Sequence, residues 1–258
     1  MIIYAAIAVY ALSQSGQSAG VRQYVSATAN EIAVKAGFEI GKVTVEGQVN
    51  LPDAEFAAAM GTRSGVSIFA FDTETARANL KRNGWVREAR VMRLLPATLV
   101  VEIDEKQPFA LWREGGQTAV IDVLGGVLAL AQPGEFSELP VVSGSGAAQP
   151  SRELVEAVKA FPELMRHVRE FERVAARRWD LLLDTGTRAK LPVENLRPAL
   201  SDLNLIATKN AAVLNEIIEV DFRVSTQFTV RLKDGSEKAR KKFLSWLSKA
   251  RGGHDSEL

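Results

Sequence analysis

The chain has no cysteine, which excludes a disulfide framework, thiolate zinc sites, iron–sulfur clusters and a cysteine nucleophile. It has only two histidines, His167 and His254, so sets of metal ligands are scarce as well. Excess charge is also missing: 32 Lys and Arg stand against 31 Asp and Glu, a formal balance of +1. No overall field would draw such a chain onto nucleic acid or an anionic surface. No Walker or GxGxxG pattern occurs, and Gly144-Ser145-Gly146 lacks the GxSxG spacing of a nucleophile elbow. Trp85, Trp112, Trp179 and Trp246 fall in different elements and read as core or interface, not as a platform for stacking bases. No internal repeat or low-complexity tract is present.

What is present is ordinary globular composition, 47% apolar and 24% charged over 258 residues, enough for more than one packed core. The first charged residue is Arg22, and MIIYAAIAVYAL at the start is uncharged but shorter than the roughly 20 apolar residues of a membrane-spanning helix. It lacks the basic start of a signal peptide. Residues 1–20 therefore read as part of a transmembrane anchor, against a short buried helix or an uncleaved secretion signal, and residues 21–37 as a juxtamembrane spacer with some helical character.

From Val43 the texture changes. VTVEGQV alternates like a strand, and LPDAEFAAAM places Pro52, Asp53 and Glu55 at a helix start. FDTETARANLKRN offers Asp72 as the N-cap of a second helix, ended by Gly84. WVREARVMRLL and TLVVEIDEKQP alternate with period two around Leu95-Pro96-Ala97 and should pair antiparallel. Asp104 and Glu105 point to opposite faces, which reads as a solvated strand end and not a paired acid and base.

Beyond Pro108 short strands and Gly-rich turns predict a mainly β second domain, with a helix over SRELVEAVKAFPELMRHV interrupted at Pro162 and another from Asn195 to about Val213. His167 reads as a solvent-facing helix residue. Residues 171–192 read as one hairpin, FERVAARRWDLLLD then TRAKLP. IIEVDFRV and FTVRL form a closing hairpin in which Ile218, Val220, Phe222, Val224, Phe228, Val230 and Leu232 share one parity, so that face is expected to be buried. Residues 233–258 hold a basic amphipathic segment, with Ala239, Phe243, Trp246, Leu247 and Ala250 at helical spacing. It could pack on the body, lie on a membrane or meet a partner.

One motif suggests catalysis. Asp184-Thr185-Gly186 is spelled like an aspartic-protease loop, but such an enzyme needs two carboxylates about 3 Å apart sharing a proton. A retroviral-type dimer would also need an apolar-apolar-Gly segment downstream, and no glycine follows Gly186 before Gly235. A tight turn between strands accounts for the same residues.

The order of elements, with Val45-x-Gly47, Gly65 to Phe69, Trp85 to Val91 and the run from Leu95 to Pro108, resembles a POTRA domain joined to the β-domain of the FtsQ/DivIB family of bacterial cell-division proteins. RRWDLLLDTG is similar to that family's Trp-Asp-Leu hairpin, whose turn commonly reads Asn-Gly. IIEVDFRV is similar to its Asp-Leu-Arg strand, with Phe222 in place of Leu. The resemblance implies an α+β fold: an N-terminal anchor remnant, a small β-α-α-β-β POTRA domain at 38–107, then a larger mainly β domain with flanking helices at 108–232.

It also implies a single-pass inner-membrane protein, mostly periplasmic, at the division septum, with no catalysis, cofactor or metal, no nucleic acid and no small-molecule substrate. The implied partners are FtsB and FtsL, with other divisome proteins. The family's last strand adds a strand from FtsB. By position the docking edge would comprise Val224, Ser225, Thr226, Gln227, Phe228, Thr229, Val230, Arg231 and Leu232, with Asp221 and Arg223 free for polar contacts. POTRA domains also occur in outer-membrane assembly and secretion proteins, but too little chain follows here for a barrel.

Overall fold

A computed structural model describes residues 18–209, 214–224, 228–235, 241 and 245. The expected segment at the extreme N-terminus and most of the basic C-terminal segment lie outside the described residues. The chain divides into two compact units, Met1–Lys106 and Gln107–Leu258.

In the first unit a helix, α1 (Ser18–Ala33), runs into a single π-turn that ends at Phe38. The Asn30 side chain ties α1 to the loop at 65–67, donating to the Gly65 carbonyl (2.8 Å) and accepting from the Ser67 N–H (2.7 Å). β1 (Lys42–Glu46), α2 (Asp53–Met60), α3 (Thr73–Leu80), β2 (Val86–Leu94) and β3 (Thr98–Glu105) follow in the expected β-α-α-β-β order. The sheet order is β1-β3-β2, with β1 parallel and β2 antiparallel to β3. Asp72 caps α3 as its sequence position predicts, accepting from the Glu74 and Thr75 N–H groups. The helix ends at Leu80, before Gly84.

Trp85, Val86, Ala89, Leu99, Val101 and Ile103 are buried, as are Met60, Ala76 and Leu80 of the helices, with α3 packed on β2 and α2 on α3. Gly47 has φ +82°, and a Cβ there would overlap the Ile103 carbonyl oxygen, which gives the Val-x-Gly motif its physical reason.

Glu105 is not a solvated end. It is buried and accepts from the Val49, Asn50 and Leu51 N–H groups and from the Asn50 side chain, at 2.8–3.1 Å. Burial alone would raise its pKa, but the donated bonds from this loop outweigh that and hold it below the usual carboxylate value. Asp104, on the opposite face, pairs with Arg87 in the solvent.

Among the described residues, the second unit is a nine-stranded sheet backed by the three helices α4 (Ser151–Lys159), α5 (Pro162–His167) and α6 (Leu196–Lys209). Its strands are β4 (Ala110–Glu114), β5 (Gln117–Ile121), β6 (Val127–Leu130), β7 (Val141–Ser143), β8 (Val168–Val174), β9 (Arg178–Leu183), β10 (Arg188–Lys190), β11 (Ile217–Asp221) and β12 (Thr229–Leu232). Their order is β12-β11-β10-β9-β8-β7-β4-β5-β6. β10 and β11 are parallel because α6 crosses between them; α4 and α5 make the corresponding crossover from β7 to β8.

Leu154, Val155, Val158, Leu164, Leu200, Leu203 and Ile206 from these helices meet Val142, Phe171, Leu181, Ala189, Val220 and Phe222 from the sheet. One face is thus core; on the other, the strands from β8 to β12 carry mostly charged side chains.

Two expectations change here. The stretch FERVAARRWDLLLD is two strands, because Ala175 and Ala176 take left-handed φ values of 52° and 54° and close a β8–β9 turn. Asn195 has φ 56° where α6 begins, not the extended backbone usual for an N-cap.

A candidate partner-binding edge

The turn at Asp184-Thr185-Gly186 joins β9 to β10. Gly186, at φ +83°, donates its N–H to the Leu183 carbonyl (3.0 Å), and the Asp184 N–H donates to His167 (2.8 Å). The Asp184 carboxylate lies 3.0 Å from His167 Nδ1, so this histidine, expected to face solvent from its helix, is also a partner of the turn. Thr187, fully buried, places its hydroxyl 2.9 Å from the carbonyl oxygens of both Leu214 and Ile217. The strand after the turn therefore anchors the start of β11.

β11 carries a bulge between Ile217 and Glu219. The extra residue breaks the period-two count, so Ile217 is wholly buried while Ile218 is 38% exposed. Val220 and Phe222 remain inside, Phe228, Val230 and Leu232 pack partly against the core, and Val224 is 57% exposed. The single buried stripe expected from the sequence thus loses Ile218 and Val224 and gains Ile217. The Phe222 and Phe228 rings meet at 5.3 Å across the hairpin. Ser225, Thr226 and Gln227 lie outside the described residues.

β12 pairs antiparallel with β11 through Val220–Val230 and Asp221–Thr229, and among the described residues no strand lies beyond it. Asp221 and Arg223, expected to be free for polar contacts, are instead bound to each other. The guanidinium donates through Nε to Oδ1 (2.8 Å) and through Nη2 to Oδ2 (2.5 Å), which holds the Asp221 pKa below its ordinary value. Glu219 accepts from Lys190 of β10 (2.8 Å) and Arg231 of β12 (3.3 Å), and Arg188 bridges Glu172 and Asp180. Burial pushes the Asp180 carboxyl up despite Arg188.

Sequence reasoning also missed a cleft of about 440 Å³ beside Arg223, lined by Arg177, Arg178 and residues 191–195. Only the fold brings those arginines together.

Residues 38–106 match the POTRA domain, FtsQ-type, and residues 110–223 match the C-terminal domain of cell division protein FtsQ/DivIB. Cell division protein FtsQ of Agrobacterium fabrum is 30% identical over 247 residues, which is 96% of this chain and 76% of that protein. The chain belongs to the FtsQ/DivIB family. FtsQ of Bradyrhizobium diazoefficiens is 31% identical over 229 residues, 89% of this chain and 67% of that one. A solved extracytoplasmic domain of DivIB from Geobacillus stearothermophilus shares 14% identity over 41% of this chain and 96% of its own, with a TM-score of 0.29. Members of the FtsQ/DivIB family act in cell division with other division proteins. The family match ends at residue 223, so β12 lies beyond it. No helix among the described residues is long and apolar enough to cross a membrane.

Proposed function

We propose that this chain is a non-catalytic scaffold of the division machinery that binds FtsB, and with it FtsL, by accepting a strand from FtsB along β12. The observation that carries the reading is the position of β12 at the end of the nine-stranded sheet. An edge strand offers a row of main-chain donors and acceptors, and a partner strand satisfies them while alternate side chains set specificity. The docking residues are Val224 to Leu232, with Asp221 and Arg223 beside them.

In this role the chain links earlier division proteins to septal peptidoglycan synthesis. It is held at the inner membrane by an anchor to which residues 1–20 contribute, with 21–37 as spacer, 38–107 as the POTRA domain and 108–232 as the β-domain, in the periplasm. Residues 233–258 form a basic tail. No acid, base or metal is required for such binding.

The test is complementation of a strain depleted of the native protein. Asp184→Asn should support division as well as the unaltered chain, whereas Val230→Pro, which removes an N–H and a side chain packed on the core, should lose FtsB capture. Loss of division with Asp184→Asn in a folded protein would contradict the reading.

A further inference from the structure

A formal charge of +1 for the whole chain hides an uneven first unit. The chain enters that unit through α1. Asn30 of α1 holds the loop at 65–67, the Phe38 carbonyl accepts from the Ile68 N–H (2.8 Å), and the Phe38 and Phe69 rings meet at 5.0 Å. The Gly41 and Lys42 N–H groups both donate to the Ala97 carbonyl in the turn between β2 and β3 (2.9 and 3.2 Å). Arg93, beside that turn, donates to the Ile68 and Phe71 carbonyls (2.9 and 2.8 Å). The end of α1, the loop around Gly65, the start of β1 and the β2–β3 turn are thereby tied together as one end of the unit.

Large apolar side chains stand out of that end: Ile32, Phe69, Leu94 and Leu95 are 55–63% exposed. An exposed apolar residue standing alone needs no explanation, but a group of them at one end does. Lys35, Lys42 and Arg63 are exposed at the same end, and among the described residues none of them has an ion pair. Of the nearby acids, Glu39 is spent on the Gly65 N–H (2.7 Å), and Glu31 is exposed. Where β1 and β3 stop, at the opposite end, the side chains are acidic: Glu46, Glu102, Asp104 and Glu105.

We infer that the entry end of the first unit seats on the surface of an anionic lipid bilayer, with Ile32, Phe69, Leu94 and Leu95 among the headgroups and Lys35, Lys42 and Arg63 pairing with lipid phosphates. The occupant follows from continuity and from charge. The run without a charge before Arg22 joins the unit at this end through α1, and apolar side chains rimmed by cations match a headgroup layer with acyl chains beneath it. The same surface repels the acidic end, so the field also sets which end faces the bilayer. This rests on the anchor proposed above and adds a second contact, which fixes how the unit stands on the membrane.

Because the chain has no cysteine, a single introduced one carries a fluorophore at a known place. Leu94→Cys and Phe69→Cys probe the entry end, and Val49→Cys, at a side chain 80% exposed in the loop after β1, is the control at the other end. The labelled 258-residue chain is mixed with vesicles of phosphatidylcholine and phosphatidylglycerol, or of phosphatidylcholine alone, and read by flotation and by collisional quenching from the aqueous phase. On the anionic vesicles, quenching of the labels at Leu94 and Phe69 should fall roughly three- to tenfold, with that at Val49 unchanged. Lys35→Glu, Lys42→Glu and Arg63→Glu combined should return both labels to the quenching of the control without detaching the chain. Lys35→Gln, Lys42→Gln and Arg63→Gln combined should fall between, and guards against misfolding of the reversed variant.

A chain that floats with the anionic vesicles while its Leu94 and Phe69 labels are quenched as fully as the control would overturn the inference and leave the anchor intact. Shielding that is equal on phosphatidylcholine alone, or that survives the charge reversal, would show a contact without headgroup pairing and also overturn it. Shielding that rises with the amount of protein per vesicle would place a second copy on this end instead, with the same consequence. A chain that floats with neither kind of vesicle would remove the anchor reading and this inference together.

Discussion

Glu105 gathers the N–H groups of Val49, Asn50 and Leu51 onto one buried carboxylate. Removing it leaves those donors without a partner inside the first unit. Glu105→Ala should therefore cost about 2–4 kcal/mol, measured by urea unfolding followed in the 38–106 region. The pH dependence has a definite sign. Because the folded pKa is depressed, the stabilisation is fully present above the unfolded value near 4.3 and is lost as pH falls through the folded value. Glu105→Gln should flatten that acid limb.

Gly47 was legible in the sequence as part of a motif, and the close approach of Ile103 explains it. The role of Glu105 was not, because its three donors lie 54 to 56 residues away along the chain. Thr187 was hidden in the same way: only the parallel crossover through α6 brings Leu214 and Ile217 to its hydroxyl.

The bulge in β11 decides which side chains the closing hairpin buries. Counting by twos from Val220 puts Ile218 inside, whereas the inserted residue puts Ile217 there instead. Ile217→Ala should destabilise the second unit by about 2–5 kcal/mol, while Ile218→Lys should change stability by less than about 0.5 kcal/mol. Thermal melts of the two variants separate the cases, since an unbroken strand would reverse the order.

Strand and helix existence was legible from alternation, capping residues and glycines, as with Asp72 ahead of α3. The β8–β9 turn was not, because alanine seldom takes left-handed φ and Ala175-Ala176 carries no turn signal. The Asp184 turn resolves the other way. Its protease-like spelling was readable, and the hydrogen bonds from Gly186 to Leu183 and from Asp184 to His167 give those residues work in closing strands.

Across the whole molecule, the two units divide the labour differently. The first is a short sheet under two helices whose motifs are largely explained by its own packing. The second is a long sheet with a helical layer on one face and charged rows on the other, and among the described residues it ends at β12 on one side and β6 on the other. At the β6 end Val127 and Leu130 are exposed. At the β12 end a charge pattern stops at Arg231. The candidate edge could be named from the sequence by resemblance, residue by residue. Its electrostatics could not be read there, since Lys190, Glu219 and Arg231 become neighbours only through strand order.

Hydrogen exchange in the 258-residue chain, alone and with the periplasmic segment of FtsB, tests the central claim most directly. The account predicts new amide protection in Phe228 to Leu232 on binding, with little change in β6. Binding that leaves those amides unprotected would contradict it.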